Sequence, residues 1–190
     1  LLDARDGAYT LARQALDHVA QIDSHRGRLL EAEIELASRH PGRAADVLGG
    51  LVHERPDDLR AADLYSTALA ESGDLDGALA GLAALRKTRP GNVVWQIREA
   101  DWRLRQSPDQ QRFAALERLV ADYPERADAR LALAAAHARA DQWAAAVKTL
   151  QIDTRPAAAL SEPEVEIAVT GLAQLHRVDA ALALLDDRAV

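Results

Sequence analysis

The chain contains no cysteine, which removes disulfides, thiolate metal sites and thiol nucleophiles together. That absence fits a reducing cytoplasm and an oxidising envelope compartment equally. Aromatic residues are only 4% of a chain that is 48% hydrophobic, so its core must be built from alanine, leucine and valine. Long apolar runs are missing: uncharged stretches such as 131–138 fall far short of the ~18 residues a membrane-spanning helix needs. A basic excess is missing as well. The net charge is −7 with a pI near 5.4, so nucleic acid and anionic membrane surfaces are repelled on average. No strand pattern of period two survives more than a few residues.

Catalytic constellations are equally scarce. Gly49-Gly50 lacks the flanking pattern of a phosphate loop, and no serine sits in a nucleophile elbow. The six histidines (His18, His25, His40, His53, His137 and His176) are scattered and form no HExxH-type pair. His137 and Asp141 come nearest to ligand spacing and read as a solvated or capped histidine. Asp57-Asp58 and Asp186-Asp187 are adjacent in sequence, point different ways on a helix, and read as solvated charge. No enzymatic activity, metal or cofactor is expected of this segment.

What the sequence does contain is a period of 34 residues, marked by Pro56, Pro90 and Pro124. Leu48, Leu82, Leu116, Leu150 and Leu184 form one column at that spacing. Ala44, Ala78, Arg112, Ala146 and Ala180 form a second, and Ala32, Ser66, Ala100, Ala134 and Ala168 a third. Between the columns apolar residues recur at i, i+3 and i+4, which gives two helices per period. Small side chains let two helix axes approach to roughly 8–10 Å, and the leucines fill the space between hairpins. Each proline ends a second helix by removing a donor and restricting the residue before it.

The spacing predicts a leading helix over 3–22, then hairpins at 24–39 with 42–54, 57–72 with 75–88, 92–106 with 109–122, 126–140 with 142–152, and 161–175 with 178–187. Ser107-Pro108-Asp109-Gln110 and Ser161-Glu162-Pro163-Glu164 read as capping boxes. Asp153 stands where Leu51, Leu85 and Leu119 stand in other repeats, so the helix before it is expected to end early. Gly49 and Gly50 within a helix each cost about 1 kcal/mol, which implies either a close neighbouring backbone or fraying.

Ser72-Gly73-Asp74-Leu75-Asp76-Gly77-Ala78-Leu79, followed by Leu82 and Pro90, resembles the turn and second helix of the tetratricopeptide repeat, a 34-residue helix–turn–helix. The resemblance covers about residues 24–190 and implies an all-α, right-handed superhelical solenoid. It would form a single array with repeats at about 24–56, 57–90, 91–124, 125–158 and 159–190. The chain departs from the family early in the first helices, with Arg28, Glu31, Gln96 and Glu99, and at Arg112 in a small-residue column. The third repeat also gathers Trp95, Trp102 and Phe113, which read either as space-filling rings or as an interface hot spot. Both ends read as cut: Leu1-Leu2-Asp3 opens on a second helix, and the sequence closes without an evident polar cap. A longer array is therefore expected, since solenoids need caps.

In resembling proteins the first helices line a concave wall. Carried over residue by residue, the resemblance implies a partner-binding groove of Arg26, Glu33, Arg60, Asp63, Thr67, Glu71, Ile97, Asp101, Arg105 and Arg139, with Leu29, Leu36, Leu104, Leu131, Val165, Val169 and Leu172 among its apolar members. Its first three repeats mix arginine with acids, and its last two are mostly aliphatic. The lysine- and asparagine-rich wall that clamps a peptide carboxylate does not occur at these positions. The charge weighs against the RNA-reading pentatricopeptide lookalike.

The expected function is a non-catalytic scaffold binding a peptide or partner helix. The alanine–arginine–leucine composition points to a bacterial source, and bacterial repeats of this kind often serve envelope, secretion or polysaccharide-export assemblies, which favours the periplasm over the cytoplasm. Two alternatives stand beside it: a regulatory or substrate-docking segment of a larger enzyme, and self-association through open solenoid ends. If the leucine column is buried as the period requires, Leu82→Ala lowers unfolding free energy by about 2–5 kcal/mol in a denaturant titration; a change within error would place the column at the surface.

Overall fold

The computed structural model describes residues 24–187 together with Leu11. The leading helix expected over 3–22 lies, Leu11 apart, outside the described residues. Ten helices follow: α1 (Ser24–Ala37), α2 (Pro41–Glu54), α3 (Leu59–Ser72), α4 (Leu75–Thr88), α5 (Val93–Gln106), α6 (Gln110–Asp122), α7 (Ala127–Arg139), α8 (Trp143–Leu150), α9 (Glu162–Gln174) and α10 (Val178–Asp186). One 3₁₀ turn spans Ala157–Ala159. No strand occurs among the described residues. The chain divides between Asn92 and Val93 into two compact units, with α1–α4 in the first and α5–α10 in the second.

Within the first unit α2 packs on both α1 and α3, and α3 on α4. Leu29, Ala32, Ala44, Leu48, Leu51, Ala61 and Ala68 form one buried cluster. In the second unit Leu104, Leu116, Leu133 and Ala136 form a cluster across α5–α7. A second one gathers Val147, Leu150, Leu160, Val165, Ala168, Leu172 and Leu184. The leucine column is thus interior: Leu48, Leu82, Leu116 and Leu150 are fully buried and Leu184 is 9% exposed. Ala32, Ser66, Ala134 and Ala168 are equally inaccessible, and Ser66 Oγ satisfies itself on the Ala62 carbonyl at 2.9 Å. A Cβ at Gly81 would collide with that hydroxyl, so glycine sets the approach of α4 to α3.

The prolines act as their spacing implies. Helices α2, α4 and α6 stop two residues before Pro56, Pro90 and Pro124. The intervening Arg55, Arg89 and Tyr123 share φ near −135, −140 and −132° and donate to Leu51, Leu85 and Leu119. Each proline forbids the helical conformation to the residue before it. Helix α8 has no such proline. It ends at Leu150 through Gln151 at φ 57°, early, as the loss of an apolar residue at Asp153 requires.

Turns inside the hairpins close by one repeated device. Arg39, Gly73, Asp141 and His176 take left-handed φ of 63, 98, 59 and 58°. The next residue then donates its N–H to the carbonyl five back: His40 to Glu35, Asp74 to Leu69, Gln142 to His137 and Arg177 to Leu172, at 2.8–2.9 Å. This is the Schellman closure, which satisfies a carbonyl that the helix end leaves orphaned. Side chains reinforce two of these turns, with His40 Nδ1 3.0 Å from Glu35 Oε2 and His137 Nδ1 2.8 Å from Gln142 Oε1.

The third hairpin cannot use that device, because Pro108 occupies the donor register of His40, Asp74 and Gln142 and has no N–H. Arg112 supplies the missing donor. Its Nη1 donates to the Arg103 carbonyl at 2.6 Å and to the Ser107 carbonyl at 2.9 Å, while its Nε pairs with Asp109 at 3.1 Å. The arginine that breaks the small-residue column therefore replaces a backbone bond. The capping box expected at Ser107 does not form there. Asp109 is the cap, with Oδ1 accepting from Arg112 N at 2.9 Å, because the helix begins only at Gln110. The helix is continuous through Gly49 and Gly50, and at Gly50 a side chain rather than a backbone comes close: a Cβ there would lie 2.6 Å from Arg28 Nη2, whereas one at Gly49 would meet the Tyr65 ring at 3.6 Å, an ordinary contact.

The long connection from Asp153 to Leu160 is held by an ion pair. Glu164 is 1% exposed. Its Oε2 accepts from Ser161 N at 2.8 Å and Ser161 Oγ at 2.9 Å, which forms the expected cap, and its Oε1 accepts from Arg155 at 2.8 Å. Arg155 also donates to the Leu150 and Ala159 carbonyls. Burial opposes the charged form of Glu164, but the bonds from Arg155 and Ser161 prevail and hold its carboxyl below the ordinary glutamate value.

Two outcomes follow from this packing. Arg112→Ala costs about 1 kcal/mol, and the cost falls to a small fraction in a Pro108→Asp background, where the backbone donor returns. A double-mutant cycle by urea unfolding measures the coupling, and additivity would refute the substitution of one donor by the other. For Glu164, a depressed folded pKa gives stability that is present above the unfolded pKa and lost as pH falls through the folded one. Arg155→Met, which leaves the buried carboxylate unpaired, costs about 3 kcal/mol near neutrality and flattens the acid limb of a melting-temperature profile. Parallel acid limbs for parent and variant would contradict it.

Candidate partner-binding surface

The first helices of the hairpins are α1 and α3 in the first unit and α5, α7 and α9 in the second. Their charged members meet in a repeated way. Glu33 on α1 accepts from Arg60 Nη2 on α3 at 2.6 Å, and Asp101 on α5 accepts from Arg139 Nη2 on α7 at 2.6 Å. Glu33 and Asp101 occupy the same register two periods apart. In each unit, then, an acid on one first helix is bridged to an arginine on the next. Arg60 and Arg139 remain exposed in these pairs.

The other expected groove residues divide. Arg26, Glu71 and Arg105 are exposed, and Asp63 is half-buried. Thr67 sits at the register of Glu33 and Asp101 but donates its hydroxyl to the Asp63 carbonyl at 3.0 Å, so its side chain serves its own helix. Ile97 corrects the expectation: it is 4% exposed and belongs to the packing of α5, because it shares a face with the buried Leu104 seven residues on. Leu29, Val165 and Leu172 are likewise buried, while Leu36, Leu131 and Val169 are half-buried. Trp95 and Trp102 are each 5% exposed and fill space, which removes them as a surface hot spot. Phe113 stacks on His137 with ring centroids 5.2 Å apart.

Two further charged contacts border the first unit's wall. His25 Nε2 lies 2.7 Å from Asp58 Oδ2, and Asp58 Oδ1 caps α3 through the amides of Arg60 and Ala61. Burial raises the Asp58 pKa, but those amides and His25 more than offset it and hold the carboxyl low. Arg28 grips both oxygens of Glu54 at 2.8 Å. That hydrogen bond is the main reason the Glu54 carboxyl is held below its ordinary value. Among the described residues no group of three His, Asp or Glu side chains is placed to hold a metal ion. No helix among them is long and apolar enough to cross a membrane.

One surface escaped the column reading in part. An open cleft of about 400 Å³ between α9 and α10 is lined by Glu162, Val165, Glu166, Val169, Thr170 and Leu185. Two of these, Val165 and Val169, are expected wall positions of the fifth repeat. The signal that could have found the rest is the departure of Leu182 and Leu185 from registers that are polar or small in every earlier second helix.

No protein-family model matches the sequence, and no curated protein sequence matches it. Solved structures do resemble it. A thermophilic TPR protein of Thermus thermophilus superposes with a TM-score of 0.67 at 17% identity, over 86% of this chain and 89% of that one. The Cut9-Hcn1 hetero-tetramer of the APC/C gives a TM-score of 0.69 at 12% identity, over 97% of this chain and 37% of that one. MamA residues 41 to the end from Desulfovibrio magneticus RS-1 gives 0.54 at 18% identity, over 88% and 94%. With hairpins in register every 34 residues and these neighbours, the chain has the all-α fold of the tetratricopeptide repeat.

Proposed function

We propose that this chain is a non-catalytic scaffold that binds a polypeptide along the first-helix face of its hairpins. The observation that carries the reading is the pair of bridges Glu33–Arg60 and Asp101–Arg139. An exposed ion pair of this kind contributes only about 0–1 kcal/mol to stability, so an incoming peptide can exchange its own charges into the pair at little cost to the fold. Exposed Arg26 and Glu71 add to the mixed charge of the first unit's first helices, and exposed Arg105 to that of the second unit's. A surface with both signs suits hydrogen-bonded recognition of an extended or helical segment, and the net charge of −7 disfavours a nucleic acid in that role. The likeness to Cut9, solved in a hetero-tetramer with Hcn1, supports a binding role. A bacterial envelope, secretion or polysaccharide-export setting, with the periplasm as compartment, belongs to the same proposal and rests on composition.

Affinity capture with the chain as bait identifies the partner, and titration then tests the face. Arg60→Glu and Arg105→Glu, made singly, each weaken binding about tenfold or more while melting temperature stays within the small range of a surface ion pair. Affinities equal to the parent for both variants would remove the first-helix face from the site.

A further inference from the structure

The α9–α10 hairpin differs from the others in a way that its packing does not require. Val178, Leu182 and Leu185 are 55, 55 and 45% exposed and follow one another at i, i+4 and i+7, so they share one face of α10. The same registers are Gly42, Asp46 and Gly49 in α2, Gln110, Ala114 and Glu117 in α6, and Ala144, Lys148 and Gln151 in α8. Each of those helices has the next first helix packed against it. Even so, Gly42, Asp46, Gln110, Glu117, Ala144, Lys148 and Gln151 stay exposed. A following hairpin would therefore leave Val178 and Leu182 in water. Large apolar side chains lined up at registers that are otherwise polar or small mark a contact surface.

Leu185 joins this stripe to the cleft of about 400 Å³ against α9. The cleft is open to solvent, whereas a small-molecule site encloses most of its ligand. Its other wall carries Glu166 and Thr170, both exposed. At that register α1 has Leu30 and Ile34, α3 Leu64 and Ala68, α5 Arg98 and Trp102, and α7 Ala132 and Ala136, all of them buried or half-buried. An all-aliphatic helix laid in the cleft would strip water from the carboxylates of Glu162 and Glu166 without replacing it, which is unfavourable. Helices α9 and α10 contain no lysine or arginine, but they carry Glu162, Glu164, Glu166, Asp179 and Asp186. Only Glu164 among these is matched by a half-buried arginine, Arg155. A second copy meeting the same face would set acid against acid.

We infer that the cleft between α9 and α10 is a docking site for a basic amphipathic helix. Its apolar side chains lie on Val178, Leu182 and Leu185, and its lysines or arginines meet Glu162 and Glu166. This mode is helix-in-groove recognition with charge complementarity at the rim. It does not depend on the first-helix face of Arg60 and Arg105, whose variants leave it unchanged.

The probe is a synthetic helical peptide with leucine on one face and lysine on the other, titrated by fluorescence anisotropy beside a counterpart carrying glutamate for lysine. The lysine peptide binds at least about tenfold tighter than the glutamate one, and added salt weakens it. Leu182→Gln with Leu185→Gln abolishes binding without changing the melting curve, since both side chains are half in water already. Glu162→Gln with Glu166→Gln weakens it and flattens its salt dependence. Three results overturn the inference. One is no binding, or equal binding of the two peptides. Another is undiminished binding to the leucine double variant, which would reduce the effect to general attraction by an acidic chain. The third is concentration-dependent dimerisation in light scattering that the leucine variant dissolves, which would make a second copy the occupant.

Discussion

Close approach of helix pairs is the constraint on which everything else rests. A chain with so few aromatics has few bulky rings with which to bridge wide gaps, so most of its helices must nearly touch. Fully buried Ala32, Ala44, Ala78, Ala134, Ala146 and Ala168 make that possible, with Ser66 satisfied on its own helix and Gly81 opposite it. Between such crossings one leucine per period has no water contact or nearly none. Dispersion contacts of this type are small singly and large in sum, and they fall off steeply with any separation of the axes.

Because the axes are so near, each turn between them is tight, and the backbone groups at helix ends need partners within a few residues. Four hairpins solve this identically, with a left-handed residue and a bond to the carbonyl five back. Only Gly73 takes that conformation without a steric penalty; Arg39, Asp141 and His176 adopt it because the closure demands it. Pro108 and Arg112 form the exception that exposes the rule. Removing one N–H from the turn is matched by a guanidinium brought in from the next helix, at the expense of a small side chain where the helices cross. The Arg155–Glu164 pair plays a comparable part in the long connection, beside its 3₁₀ turn.

Charge is organised around this frame rather than within it. Glu33–Arg60 and Asp101–Arg139 link neighbouring first helices through acids at one register, on faces that water still reaches, so they are suited to exchange with a partner's groups. Along α9 and α10 the balance changes. Acids there lack basic neighbours on the same helices, and an aliphatic stripe occupies registers that are polar or small elsewhere. A mixed-charge face and an acid-rimmed apolar cleft select different partner chemistry, as expected of a molecule whose role lies in its surfaces.

The sequence alone was enough for the period, the hairpins, the proline-marked helix ends and the early stop before Asp153. All of these depend on which residue types recur along the chain, and recurrence is a one-dimensional property. It also identified the leucine and small-residue columns, since repeated packing imposes repeated sizes. Tertiary structure decided which partner each side chain meets. Ile97 was counted as groove because its register matched, yet the face it shares with Leu104 turns inward. Arg112 looked misplaced until the Arg103 carbonyl was seen beside it, and the cap expected at Ser107 moved to Asp109 because the helix begins only after it. Gly50 proved to accommodate Arg28, a residue 22 positions away. Such pairings depend on distances of a few ångströms between segments remote in the chain, which no spacing rule encodes.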